Sequence, residues 1–241
     1  MKNKFLAVLL AGTILTAATA AHAEKSGAWA GIDVGPNSYY LFAGAVTGIS
    51  GQSDIDSEGG WLLRGDAGYG QYDYNTVLPG PTPANIDGDV IAGDALIGYR
   101  HFFDTGANHI TFYAGGELQN HDQSPRDAAN SVEGSEFGAK GMVELNVTPA
   151  EDIVFNAAVS YSTAFDSYWS RGTVGYDMQS VTVGPEVLFM GNEEYDQRRF
   201  GLSVSNIQLG FTDVAIRGGY ANTSGRGDDG AYGTLGFSSN F

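Results

Sequence analysis

The feature that most constrains this chain is a period-two alternation of apolar and polar residues, repeated in stretches of ten or more along nearly its whole length. Phe137, Ala139, Gly141, Val143, Leu145 and Val147 share one face of an extended segment, and Glu136, Gly138, Lys140, Met142, Glu144 and Asn146 share the other. Ile110, Phe112, Ala114, Gly116 and Leu118 alternate in the same way with Thr111, Tyr113, Gly115, Glu117 and Gln119. Ile153, Phe155, Ala157, Val159 and Tyr161 alternate with Val154, Asn156, Ala158, Ser160 and Ser162. Successive side chains on a strand point to opposite faces, so each segment is a strand with two different surroundings. Twelve such strands are predicted, over 27–35, 38–48, 60–74, 88–103, 108–120, 134–148, 152–163, 166–177, 180–191, 197–208, 213–222 and 230–241. An even count brings both ends to one side, as in bacterial transmembrane barrels. The predicted fold class is all-β, a closed antiparallel transmembrane barrel of about twelve strands.

The first residues point to the same compartment. Lys2 and Lys4 precede an apolar run from Phe5 to Leu15, and Ala21-His22-Ala23 has the spacing of a cleavage site. Residues 1–23 are therefore expected to be a secretory signal peptide, with residues 24–241 forming one outer-membrane barrel. Loss of Lys2 and Lys4 takes the formal net charge from −16 to −18. A chain so acidic has no electrostatic footprint for nucleic acid. It has no cysteine, which removes thiol chemistry and disulfides. The terminal Phe241, after alternating apolar residues, matches the closing strand of an outer-membrane barrel.

Loops and irregularities give further expectations. Long connections are expected near 75–87, 121–133 and 223–229, and short ones at 148–152 and 212–213. The long 48–59 connection falls on the periplasmic side of the count, and the short Ala164-Phe165-Asp166 on the external side, both against the usual asymmetry. Pro185 interrupts a strand and calls for a bulge, helped by Gly184. The contiguous Tyr39, Tyr40, Leu41 and Phe42 suit a membrane interface.

Chemistry is sparse. His121 with Ser124 is the one near pair for acyl hydrolysis, and a solvated loop histidine explains it better. No spacing suggests a metal centre or another cofactor, and a non-enzymatic role is expected. The acidic groups Asp54/Asp56/Glu58, Glu193/Glu194/Asp196 and Asp228/Asp229 read as solvated charge, with divalent bridging to lipopolysaccharide as a weaker alternative. Arg64, Asp66, Asp94, Arg100, Glu117, Glu136, Lys140, Glu144, Arg171 and Glu186 all fall on polar faces. At membrane depth they must face one another or water, either as a plug or as a channel lining. Trp169 has the parity of Arg171 and points inward.

Several strings resemble the bacterial cellulose biosynthesis protein BcsS family: Asn130 to Gly141, Tyr161 to Arg171, Val181 to Glu186, Gly191 to Arg199 and Gly227 to Thr234. The resemblance runs from Trp29 to the end and implies an accessory role in cellulose export or anchoring at the outer membrane. It implies outer-membrane lipid and lipopolysaccharide as surroundings, and cellulose and other secretion components as partners. It carries no catalytic motif. For contact with a glucan, the candidates are Trp169, Arg171, Glu136 and Glu186, because hydroxyls and apolar ring faces call for hydrogen-bonding charges and a flat aromatic. A small-solute porin and a plugged structural barrel remain alternatives.

Overall fold

The computed structural model describes residues 26–51, 54–78, 82–103 and 108–241. The expected signal peptide over 1–23 lies outside the described residues. Twelve strands follow in order: β1 Ser26–Gly35, β2 Ser38–Gly48, β3 Gly60–Leu78, β4 Thr82–Phe102, β5 His109–Ser124, β6 Gly134–Ala150, β7 Ile153–Ser162, β8 Tyr168–Asp177, β9 Thr182–Gly191, β10 Tyr195–Leu209, β11 Thr212–Gly225 and β12 Gly230–Asn240. Each pairs antiparallel with its sequence neighbours, and β12 pairs with β1 from Asn240↔Gly27 to Gly233↔Val34, closing the barrel. Closure leaves no strand edge with unpaired N–H and C=O groups, which a bilayer would not tolerate.

Parity decides the two faces. Residues directly opposite on neighbouring strands share a face, so Trp29, Gly44, Asp66, Asp94, Glu117 and Gly138 form one inward row through consecutive pairs. All ten charged positions assigned to polar faces in the sequence point inward. The outward face carries exposed apolar side chains, among them Leu63, Ile91, Phe112, Leu118, Leu202 and Phe137, the last 76% exposed. Trp61 and Tyr99 stack edge-to-face at 5.3 Å near the end that holds the termini. A closed barrel that is apolar outside and polar inside spans a lipid bilayer, and the chain is an outer-membrane β-barrel. Ser26 and Phe241 exchange backbone hydrogen bonds of 3.0 and 2.8 Å, so the start of β1 and the end of β12 meet at the periplasmic rim.

Several expectations are corrected. Residues 75–78 and 82–87 are strand rather than loop, and 121–124 belong to β5, while the long connection expected near 121–133 is present over 125–133. β3 and β4 stay paired out to Leu78↔Thr82, six residues past the last β2 pair at Ser38↔Tyr72, and β5 runs to Ser124. The hairpin thus rises beyond the outer rim, because its polar and aromatic alternation continues there. Pro185 makes no bulge. Its strand keeps one register with β10 throughout and with β8 on either side of the proline, and only the Val174 and Gly175 pairings are missing. A proline with no N–H costs local ladder bonds without shifting register when the opposite backbone can press close. Gly184 allows that approach, since a Cβ there would fall 1.8 Å from the Val174 carbonyl oxygen. The bulges lie elsewhere, between Val204 and Ile207 and between Val147 and Ala150. The Tyr39–Phe42 run does not lie wholly at the interface: Tyr40 and Phe42 point inward, over Gly68 and Gly31.

Candidate functional site

The inward residues gather into two networks on opposite arcs of the wall. On β1 and β3 to β6, Trp29 Nε1 donates to Asp66 Oδ1 at 3.0 Å and Arg64 Nε to Asp66 Oδ2 at 2.8 Å. Arg64 Nη1 then reaches Glu144 Oε1 at 2.5 Å, while its guanidinium lies 4.5 Å over the Trp29 ring. Lys140 Nζ bridges Asp94 Oδ2 at 2.5 Å and Glu117 Oε1 at 2.8 Å. Gln119 extends the chain from Glu117 to Ser167 Oγ. On β8 to β12 and β1, Arg199 Nη1 donates to both oxygens of Asp33, at 2.7 and 2.9 Å, and Thr234 Oγ1 donates to the same carboxylate. Glu186, 2% exposed, lies between Arg171 and Arg217 and accepts from Tyr232. Pairing of this kind is what keeps charges tolerable at membrane depth.

Both mouths carry an inserted segment. At the periplasmic rim, residues 54–59 lie across the mouth and insert Ile55 into the barrel. Ile55, 2% exposed, packs with Val46, Leu62, Leu96, Tyr113 and Met142. Arg100 Nη1 donates to the Ile55 carbonyl at 2.6 Å, and Asn240 Nδ2 to Asp56 Oδ2 at 2.5 Å, so the loop is tied to β4 and β12. This is why a long connection sits on the periplasmic side. It also places Asp54, Asp56 and Glu58 away from the lipopolysaccharide leaflet, which corrects any bridging role for them. The Asp54 carboxyl is held below its ordinary range by the Ser57 hydroxyl and the Asp56 N–H.

At the outer rim, residues 125–133 fold over the opening. Arg226 Nη1 donates to Asp127 Oδ2 at 2.5 Å and its Nε to Glu194 Oε2 at 2.7 Å. Glu194 Oε1 also accepts from the Ser131 N–H and hydroxyl, both at 2.8 Å. One cation therefore joins three outer connections. Burial pushes the Asp127 and Glu194 carboxyls up, but the Ala129 N–H with Arg226 on the first, and the Ser131 N–H with Arg226 on the second, bring both below their ordinary values. The Arg226 guanidinium is pushed down by burial and, more strongly, up by these carboxylates. The short Ala164–Asp166 connection also turns inward, as one 3-10 turn, setting Phe165 edge-on to His121 at 5.1 Å. His121 is thus not a solvated loop histidine: it is buried on β5 with Nδ1 3.4 Å from the Tyr72 hydroxyl. Ser124 has the opposite parity, so the two form no pair.

Between the two inserted segments lies a cavity of about 750 Å³. Trp169 lines it, with the Arg171 guanidinium 5.0 Å from its ring centroid. Arg171 lines it too, whereas Glu186 sits behind Arg171 and off the cavity surface. Glu136 faces inward near the outer end of β6, opposite Gln119, and is not part of the cavity wall. The structure therefore brings Trp169, Arg171 and Glu186 together and leaves Glu136 apart. Sequence reasoning missed Tyr40, Tyr72, Tyr113 and Tyr195, which share the wall, and it missed the plug and latch residues Ile55 and Arg226. An isoleucine flanked by two aspartates in a polar loop was the available signal for Ile55.

The family described as cellulose biosynthesis protein BcsS matches residues 28–241. No curated protein matches the chain. Among solved structures, the KdgM porin is 9% identical with TM-score 0.47, covering 89% of this chain and 99% of its own. The translocator domain of autotransporter NalP from Neisseria meningitidis is 10% identical with TM-score 0.48, covering 98% and 95%. Wzi, an outer-membrane protein involved in group 1 capsule assembly in Escherichia coli, is 9% identical with TM-score 0.33, covering 98% and 88%.

Proposed function

The chain belongs to the cellulose biosynthesis protein BcsS family, and from that premise we propose that it holds the glucan at the outer membrane, in its lumen, rather than conducting it to the outside. The observation that carries this reading is the arrangement of the lumen. Arg64 and Glu144 join β3 to β6 through the interior, Ile55 fills one mouth and the Arg226 latch covers the other. A polymer threaded through the barrel would have to displace all three. What remains is a pocket of about 750 Å³, in the size range of sites for small ligands. Its Trp169 ring offers a flat apolar face for a pyranose ring. The Arg171 donors, held by Glu186, suit its hydroxyls, and Glu136 stands nearer the outer rim as a first polar contact. A chain end or short segment entering from outside would be retained there without catalysis, the barrel acting as an accessory component.

The test is single-channel recording of the refolded barrel in planar bilayers, with and without soluble cello-oligosaccharides, beside direct binding by calorimetry. Retention requires oligosaccharide binding with little conductance, and binding lost on Trp169→Ala in a folded barrel. Stepwise conductance blocked by the sugars would replace it with a conduit. Conductance indifferent to them would replace it with a small-solute porin.

A further inference from the structure

The two networks are not electrically alike. On the β3–β6 arc Arg64 and Lys140 meet four carboxylates, Asp66, Asp94, Glu117 and Glu144. On the β8–β12 arc three guanidiniums, Arg171, Arg199 and Arg217, meet only Glu186 and Asp33. Arg199 has a carboxylate of its own: it holds Asp33 through two hydrogen bonds and donates its Nε to Gln197. Arg171 and Arg217 are not. Both approach the same oxygen of Glu186, through Nε at 3.4 and 3.0 Å, and neither approach has hydrogen-bond geometry. Among the described residues, the two Nε atoms and Glu186 Oε2 are buried without a hydrogen-bond partner, and neither guanidinium donates elsewhere.

One carboxylate cannot neutralise two guanidiniums. The surplus charge lies at membrane depth, where an uncompensated cation is costly. The Arg171 side chain is 23% exposed, and it opens on the cavity beside Trp169. A planar guanidinium with free N–H groups on the wall of a cavity is the usual partner of a two-oxygen anion.

We propose that Arg171, left short of counter-charge because Arg217 shares Glu186 behind it, is an oxyanion-binding site, taking a carboxylate or phosphate group that enters the cavity and supplies the missing negative charge. A free oxyanion would satisfy it. So would an acidic saccharide, whose ring would then lie against Trp169. The site shares its cavity with the glucan reading, but its ligand is distinct from a neutral glucan.

The experiment is titration calorimetry on the folded full-length barrel in neutral detergent at low salt, with three probes: inorganic phosphate, glucuronate and neutral cellobiose. Tryptophan emission serves as a second readout, since Trp169 lies under Arg171. Phosphate and glucuronate are expected to bind, more weakly as salt rises. Equal affinities identify a site for the oxyanion alone, and tighter glucuronate identifies an acidic sugar. Arg217→Gln is expected to weaken both by about tenfold or more, because Glu186 is then left to Arg171 alone and the surplus positive charge is gone. Glu186→Gln is expected to strengthen both, because it removes the competing carboxylate. If Glu186→Gln does not fold, as judged by circular dichroism, Arg217→Gln and the salt dependence carry the test. Absence of anion binding by the folded protein overturns the proposal, as does unchanged affinity in Arg217→Gln. Cellobiose bound without either anion also overturns it, and leaves the glucan reading standing.

Discussion

Arg64 on β3 and Glu144 on β6 meet inside the barrel, Nη1 to Oε1 at 2.5 Å, with the strands β4 and β5 bypassed between them. The pair makes the lumen a packed interior on that side. Removing Glu144 leaves Arg64 with Asp66 alone, so the cost is expected to fall below about 3 to 5 kcal/mol, that of a fully unpaired buried charge. Glu144→Gln is expected to lower the unfolding midpoint in urea and to raise conductance. The double replacement Arg64→Met with Glu144→Leu is expected to recover much of the stability. A double-mutant cycle on refolded protein measures both.

The outer latch should open in acid. The Asp127 and Glu194 carboxyls lie below their ordinary values while Arg226 is docked, and rise to them on release. The docked state therefore binds fewer protons, and its stabilisation is complete above about pH 5 and lost as pH falls through the lowered values. Protection of the 125–133 amides, taken relative to their intrinsic exchange rate at each pH, is expected to be high at pH 7 and lost at pH 3. Arg226→Ala is expected to lose that protection already at pH 7.

Ile55 is the apolar anchor of the periplasmic plug. Ile55→Ala is expected to weaken docking of the 54–59 loop by about 2 to 4 kcal/mol. The barrel wall does not depend on the loop, so β-sheet content should hold while conductance rises. Unchanged conductance with the loop released would show that Ile55 does not close the mouth.

Glycine positions in the wall should separate sharply. Gly184→Ala drives a Cβ into the Val174 carbonyl oxygen and the Gly175 Cα, so β8 and β9 would have to part. Failure to refold is expected. Gly141→Ala, with nothing within 4 Å of the new carbon, is expected to refold as the parent does. Refolding yield by gel shift with and without heating reads both.

The strand count and the inward parity of the ten charged positions assigned to polar faces were legible because a side-chain period of two leaves no freedom once one face meets lipid. Trp169 and Arg171 could be placed together for the same reason. The role of Glu136 could not be read, because parity says that a residue faces inward but not at what height or onto which surface. Pro185 shows the complementary limit: the sequence announced an irregularity, and only the close approach at Gly184 decided that it would be a gap in the ladder and not a bulge.

By itself the sequence determined a closed twelve-stranded wall, apolar outside and charged inside, because alternation and backbone hydrogen bonding in lipid permit little else. Only the tertiary structure decided what fills that wall. Arg64 and Glu144 are 80 residues apart, Arg199 and Asp33 are 166 apart, and Arg226 and Asp127 are 99 apart. No local pattern encodes such pairings, since they exist only after closure sets opposite strands face to face. The same closure turns two loops inward, leaves one arginine pair short of a partner, and makes a pocket of what strand periodicity alone would allow to be a pore.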